Sequence, residues 1–321
     1  MNNSIVIVVL ASGVAYGTPV LFAALGELLA ERSGILNLGV EGMMLVGAAM
    51  GFWAVQRVGG PGGLVLLVAI VIAALAGAVI ALVHAFLVVT LRASQIVSGL
   101  ALTIFAGAAG LSSYLGNDLN LANVPARHVF KPVNAFGLET LPIVGPIVFG
   151  QTWLVYASWV CVAAVTFYLT RTRLGLNMRA VGESPQTADA MGINVVRYRY
   201  AHTLAGGAFA GVGGACFSLA ITPQWTNDLT GGTGWIAIAL VIFAFWRPDL
   251  CLVGAYFFGA FQALPFQLQA REKLTQIPPG VFQALPYVMT IVVLVLVSSG
   301  IAKRRLGAPG SLGVPYMREE R

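Results

Sequence analysis

The 321-residue sequence predicts an all-α protein built from helices that cross a membrane. Three observations carry that prediction. Hydrophobic residues make up 58% of the chain and charged residues only 9%, against about 25% charged in soluble domains, and mean hydropathy is +0.85. The apolar residues fall into runs near the length of about 20 residues needed to cross about 30 Å of hydrocarbon. The basic residues gather on alternate connections between those runs, as orientation in a bilayer requires.

In chain order, the predicted spans cover residues 4–24, 35–55, 62–91, 95–115, 153–169, 201–221, 234–246, 250–268 and 281–301. The count is therefore about eight to ten transmembrane helices. The first run lacks a basic leader and is too long for the apolar part of a signal peptide, so it reads as a helix that stays attached. Residues 62–91 are long enough to tilt, and 234–246 are short for a full crossing. The second run is punctuated by Gly34, Gly39, Gly42 and Gly47, which open it to a break. Nine crossings put the termini on opposite sides. With residues 171–200 inside, 13 of the 18 Lys and Arg residues lie on the inner side, so the C-terminus is expected in the cytoplasm of a bacterial cell with its membrane domain at 1–302 and a loose tail at 303–321. Residues 117–150 form a long external loop.

Polar residues inside the apolar runs are the candidates for function. Asn37 and Glu41 stand four apart, so in a continuous helix they share a face. Their cost in lipid points them at a bundle interior or a water-filled cavity. Such a pair either fixes packing through an interhelical hydrogen bond or lines a substrate route. Gln95, Ser98, Trp225 and Asn227 join them as candidates for that route. The stretch Gly231-Gly232-Thr233-Gly234 opens the short span, where a broken helix would expose backbone to a solute. His84 stands alone in an apolar run and reads as a satisfied interior histidine. Small-residue runs at 73–78 and 206–214 allow close helix approach. Cys161, Cys216 and Cys251 are scattered singly and suit packing rather than disulfides or a metal.

The remaining signal is a polar island at 171–200, with five arginines around Glu183 and Asp189. Ser184-Pro185 reads as a helix start, a hydroxyl cap before a residue whose missing N–H costs nothing there. Gly192 reads as the stop, giving a short helix of about two turns. The pattern from Arg173 to Ile193, with Gly175, Asn177, Arg179-Ala180-Val181-Gly182-Glu183-Ser184-Pro185, Ala188 and Gly192-Ile193, resembles the coupling-helix loop of bacterial ABC importer permeases of the branched-chain amino acid and ribose type. The stretch Ser33-Gly34-Ile35-Leu36-Asn37-Leu38-Gly39-Val40-Glu41-Gly42-Met43-Met44 resembles the nucleoside-type subgroup, where sugar-type relatives carry Gly-Ile-Asp-Leu-Ser-Val-Gly.

The resemblance implies the permease fold of vitamin-B12 and ribose importers, with no covalent chemistry in this chain. It implies an ATP-binding cassette subunit that receives Arg179, Gly182, Glu183, Ser184, Pro185, Ala188, Met191 and Gly192. It also implies a second permease, a different chain in nucleoside systems, and an extracytoplasmic substrate-binding lipoprotein. The residues agree on what is lacking: there is no phosphate-binding Gly-rich loop with its Lys-Ser/Thr, no metal spacing or other cofactor signature, no nucleophile elbow, and no basic stripe with aromatics for nucleic acid. An ion-coupled secondary transporter is the alternative. It is disfavoured because Glu41 is the only acidic residue well inside a predicted span, and such carriers bury acids for coupling.

Overall fold

The computed structural model describes residues 5–133, 135–269, 284, 288–292, 295 and 307–318. In an apolar medium a backbone can satisfy its own donors and acceptors only as helix or closed barrel, and these residues are mostly helical. The helices are α1 (Ile5–Arg32), α2 (Val40–Arg57), α3 (Gly62–Ala85), α4 (Gln95–Ala106), α5 (Leu111–Asp118), α6 (Trp153–Arg171), α7 (Arg173–Glu183), α8 (Pro185–Ala190), α9 (Val195–Cys216), α10 (Thr233–Phe243) and α11 (Pro248–Gln269). Both α3 and α9 run on into a π-helical turn, at Phe86–Thr90 and Phe217–Ile221. Five segments are long and apolar enough to cross a membrane among the described residues. The span predicted at 281–301 lies mostly outside the described residues.

Helix α9 sits centrally, packed on α1, α2 and α3. Its glycines make this possible. A Cβ on Gly211 would lie 2.1 Å from the Ala73 carbonyl oxygen, and one on Gly214 would lie 1.8 Å from that of Met44. The backbones therefore meet where side chains would otherwise stand, the arrangement expected when helices associate by packing in lipid. On the outer flank of α3, Leu67, Val71, Leu75 and Val79 are exposed at four-residue spacing and form a lipid-facing stripe.

The ends differ. At one, Arg32, the close of α3, α7, α8 and the start of α9 come together with residues 307–318. At the other, Gln56 bonds the Pro125 carbonyl at 2.8 Å, Ala122 and Pro125 pair with Trp225 and Gln224, and Gln151 reaches the Ala11 carbonyl at 3.2 Å.

Four expectations change. Helix α1 runs eight residues past its predicted end, because Leu25, Leu28 and Leu29 keep an apolar face buried to the last turn. The break that the glycines of the second run allowed is present at 33–39, and the fourth run, expected to be continuous, is broken too, at 107–110, where the Ser112 hydroxyl donates to the Gly107 carbonyl at 2.7 Å. Most of the polar island is helical: α7 precedes the short helix, capped by Thr172, whose hydroxyl accepts from the Gly175 N–H at 3.0 Å. The tail at 307–318 is docked rather than loose.

Replacing Gly211 with Val should lower the melting temperature of the detergent-solubilised protein sharply, since overpacking costs about 1–3 kcal/mol even where side chains can yield. Gly63→Val, with nothing within 4 Å of its Cβ, should leave it nearly unchanged. Equal melting of the two variants would contradict backbone contact at Gly211.

Candidate functional site

Residues 33–39 leave helical geometry between α1 and α2, inside the bundle. Their backbone groups need partners that helices would have supplied. Side chains from three other helices provide them. Glu27 of α1 accepts from the Asn37 N–H at 3.0 Å. Gln95 of α4 accepts from the Leu36 N–H at 2.6 Å and donates to the Gly34 carbonyl at 3.4 Å. His84 of α3 places Nε2 3.1 Å from the Leu36 carbonyl and Nδ1 2.9 Å from the Ser98 hydroxyl. Since a carbonyl can only accept, Nε2 carries the proton and Nδ1 accepts from Ser98. Thr103 donates to the Leu38 carbonyl at 2.7 Å. Asn37 closes a local turn, its Oδ1 accepting from the Gly39 N–H at 3.0 Å.

Glu41 does different work. It lies in the first turn of α2, yet its carboxylate caps α10: Oε1 accepts from Thr230 Oγ1 at 2.5 Å and the Gly232 N–H at 2.9 Å, and Oε2 from the Gly234 N–H at 2.6 Å. Gly232 holds the left-handed conformation there, φ +79°, which costs glycine nothing. A negative charge at a helix N-terminus satisfies free N–H groups and the positive end of the dipole. The 11 residues of α10 rise about 16 Å, so this cap sits well inside the bundle.

The shared helical face expected for Asn37 and Glu41 is thus overturned. The break before α2 puts Asn37 in the loop and Glu41 on the far side of it. Asn37, Gln95 and Ser98 converge on residues 33–39, with Glu41 beside them. Trp225 and Asn227 do not join this group. Trp225 is buried at the opposite end, its indole nitrogen 2.1 Å from where a Gly116 Cβ would stand, and Asn227 is exposed there.

Two buried acids escaped the sequence reading. Glu27 and Glu31 are each 1% exposed and stand four residues apart, one turn along α1. Glu31 accepts from the Trp246 indole N–H. Glu41 is therefore not the only acid inside a span. The leucines at 25, 28 and 29 were the signal that α1 continues past these residues.

At the α8 end, the short helix forms as its caps imply. The Ser184 hydroxyl accepts from the Thr187 N–H at 3.4 Å, and Gly192 takes φ +81°. Pro185 and Ala188 are buried against Val181, Val195 and Tyr316, whereas Met191 is 78% exposed. Gly182 anchors the unit, its missing Cβ being 2.1 Å from the Arg32 carbonyl oxygen. Arg179 is half-buried beside Arg32, and exposed Glu183 accepts from the Gly310 N–H at 3.2 Å.

Residues 9–294 match the protein family described as the branched-chain amino acid transport system, permease component. The chain belongs to this family. It is a permease subunit of an ABC importer and a multi-pass membrane protein. A permease protein of Haloferax volcanii, provisionally named for glucose, is 40% identical over 94% of this chain and 95% of its own. A nucleoside ABC transporter permease protein of Lactococcus lactis is 34% identical over 98% of both chains. A guanosine ABC transporter permease protein of Bacillus subtilis is 32% identical over 98% of both.

In this permease the docked tail is a further unpredicted feature. Arg199, 1% exposed, donates to the Ser311 hydroxyl and to the Val314 carbonyl, both at 3.2 Å. Ser311 in turn donates its N–H to the Gly182 carbonyl at 2.9 Å. Sequence alone put Arg199 among the basic residues of a loop. Its place in α9, four residues before Thr203 and six before the Ala205-Gly206-Gly207 run, was the available hint of burial.

Glu41→Ala should reduce the yield of folded permease, because it strands three donors at a cost of about 1–3 kcal/mol for each buried group left unpaired. Glu41→Gln keeps one accepting oxygen and should recover part of the loss. Thermal melting and size-exclusion yield check this; identical behaviour of the Ala variant and the parent would remove Glu41 as the cap of α10.

Proposed function

We propose that this permease moves nucleosides inward across the membrane, with ATP hydrolysed by a separate cassette subunit that receives α8. One observation carries the coupling role: α8 is a capped helix with an exposed apolar tip at Met191, fixed rigidly behind by Gly182 against Arg32. A push on α8 is passed through α7 to the end of α1, and from α1 to residues 33–39, whose N–H of Asn37 is held by Glu27. Coupling residues divide by task. Glu183, Ser184, Met191 and Gly192 face the ATPase, while Arg179, Gly182, Pro185 and Ala188 hold the helix in place.

The substrate path follows the broken helices. Residues 33–39 and the N-terminus of α10 bring backbone dipoles to one level, the setting in which transporters present polar groups to a solute. Asn37, Glu41, Gln95 and Ser98 shape that level. Trp225 and Asn227 belong to the outer mouth, where a substrate-binding lipoprotein would deliver. The assembly comprises two cassette ATPases and two permeases, the second a different chain. Residues 1–302 form the membrane domain of a bacterial inner-membrane protein, with 303–321 and α8 in the cytoplasm. The nucleoside assignment is supported by the 33–44 stretch and by the two relatives named for nucleoside and guanosine. A hexose is the second reading, favoured by the relative named for glucose.

Cells expressing the complete transporter should take up labelled guanosine or uridine in an ATP-dependent manner and not labelled glucose; the reverse selectivity would replace nucleosides with hexoses. Met191→Asp should leave folding intact and weaken assembly with the ATPase about tenfold or more, as loss of an interface anchor costs about 2 kcal/mol. Undiminished co-purification and stimulated ATPase activity would count against α8 as the docking element.

For topology, a background without Cys161, Cys216 and Cys251 is used. A cysteine at Gln186 should react with an impermeant maleimide only in inverted vesicles, and one at Asn120 only in intact cells. Labelling of both from one side would overturn the orientation.

A further inference from the structure

Where the π-helical end of α3 meets the start of α9, a cavity of about 860 Å³ opens at the α8 end of the molecule. Its rim carries Arg92, Arg197 and Arg318, and its lining includes Thr90, Tyr200 and the apolar Val89 and Leu204. Arg92 and Arg197 are exposed and form no ion pair among the described residues. Arg318 reaches the Asp189 carboxylate at 3.5 Å. Among the described residues, three guanidinium groups therefore face one carboxylate, an excess of two positive charges. The Thr90 and Tyr200 hydroxyls bond one another at 2.5 Å. That bond uses one of their two protons and leaves the other for an outside acceptor. Arg92 adopts φ +57°, a left-handed conformation that persists in a non-glycine residue only where the surroundings impose it. Here the Ala93 N–H is tied to the Leu87 carbonyl at 2.9 Å, which turns the chain as it leaves α3. Just beyond the cavity, α3 exposes Leu82, Val83 and Phe86.

A cationic mouth with hydroxyl donors above an apolar wall, at the edge of a lipid-facing helix, matches one class of ligand. We propose that this cavity binds the phosphate headgroup of an anionic phospholipid, with an acyl chain laid along α3. Guanidinium groups take phosphate oxygens through paired, charge-assisted hydrogen bonds, and basic pockets between spans at the membrane edge suit anionic headgroups. Soluble phosphate shares the headgroup chemistry and lacks the chain. The site is separate from the substrate path, so it stands whichever solute the permease carries; its wall adjoins the end of α8 at Asp189 and Gly192.

The test is native mass spectrometry of the purified full-length permease, released from micelles doped with phosphatidylglycerol or phosphatidylcholine. Phosphatidylglycerol should be retained in preference. Arg92→Gln should lower retention about fivefold and Arg92→Gln/Arg197→Gln about 25-fold, each basic group near the headgroup contributing roughly a factor of five. Arg171→Gln/Arg173→Gln, outside the cavity, should change nothing. Leu204→Trp, which fills the apolar wall and keeps every charge, should also reduce retention. Equal retention of the two lipids, or retention unaffected by the cavity arginines, would overturn the proposal. Displacement of the lipid by millimolar inorganic phosphate, or loss with the arginine variants but not with Leu204→Trp, would overturn the lipid as occupant and leave a soluble phosphate site.

Discussion

Backbone that leaves a helix inside a membrane domain must find hydrogen-bond partners there, and the fold of this permease is arranged around that requirement. Residues 33–39 are the stretch concerned. Glu27, His84, Gln95 and Thr103, from α1, α3 and α4, converge on its amides and carbonyls. Each would be expensive alone in an apolar interior. Together they offset part of one another's costs, because each of these contacts pairs a donor with an acceptor.

Glu41 extends the same logic to a second break. Helix α10 begins inside the bundle, so its free N–H groups cannot reach water. The carboxylate of Glu41 supplies both their partner and the charge that the helix dipole favours. Two interrupted helices are thereby joined head to head. Irregular backbone at membrane depth is tolerated where protein covers it or a cavity adjoins it, and here side chains of the neighbouring helices cover both breaks.

The α8 end is held by contact of backbones instead. Gly182 lets α7 touch the last carbonyl of α1, and buried Arg199 binds residues 311 and 314 of the tail across the same region. The tail contributes Tyr316 to the apolar base of α8 and Arg318 to Asp189. A helix of six residues is too short to be stable by itself, so its position depends on these attachments. The small-residue faces of α9 continue the rigid packing towards the opposite end. Close packing of this kind leaves few loose side chains between α8 and the breaks.

Much of this was written locally. Apolar run length set the spans, Ser184-Pro185 and Gly192 bounded α8, and the solitary His84 was correctly read as satisfied within the core. Glycines at 34, 39, 231 and 232 marked where helices would stop, since they carry local conformational freedom that composition reveals. The sequence could not say what those stops would bind. Asn37 and Glu41 have the spacing of a shared helical face, and only the break between them sends one into a turn and the other to α10, 190 residues further along. Glu27, Glu31 and Arg199 looked like residues of polar connections because charge density is a local signal, whereas burial depends on which distant segments arrive to cover them. Local steric and hydrophobic preferences decide where elements begin and end; long-range hydrogen bonds decide which of their polar groups share a site, and those partners exist only after the helices have packed.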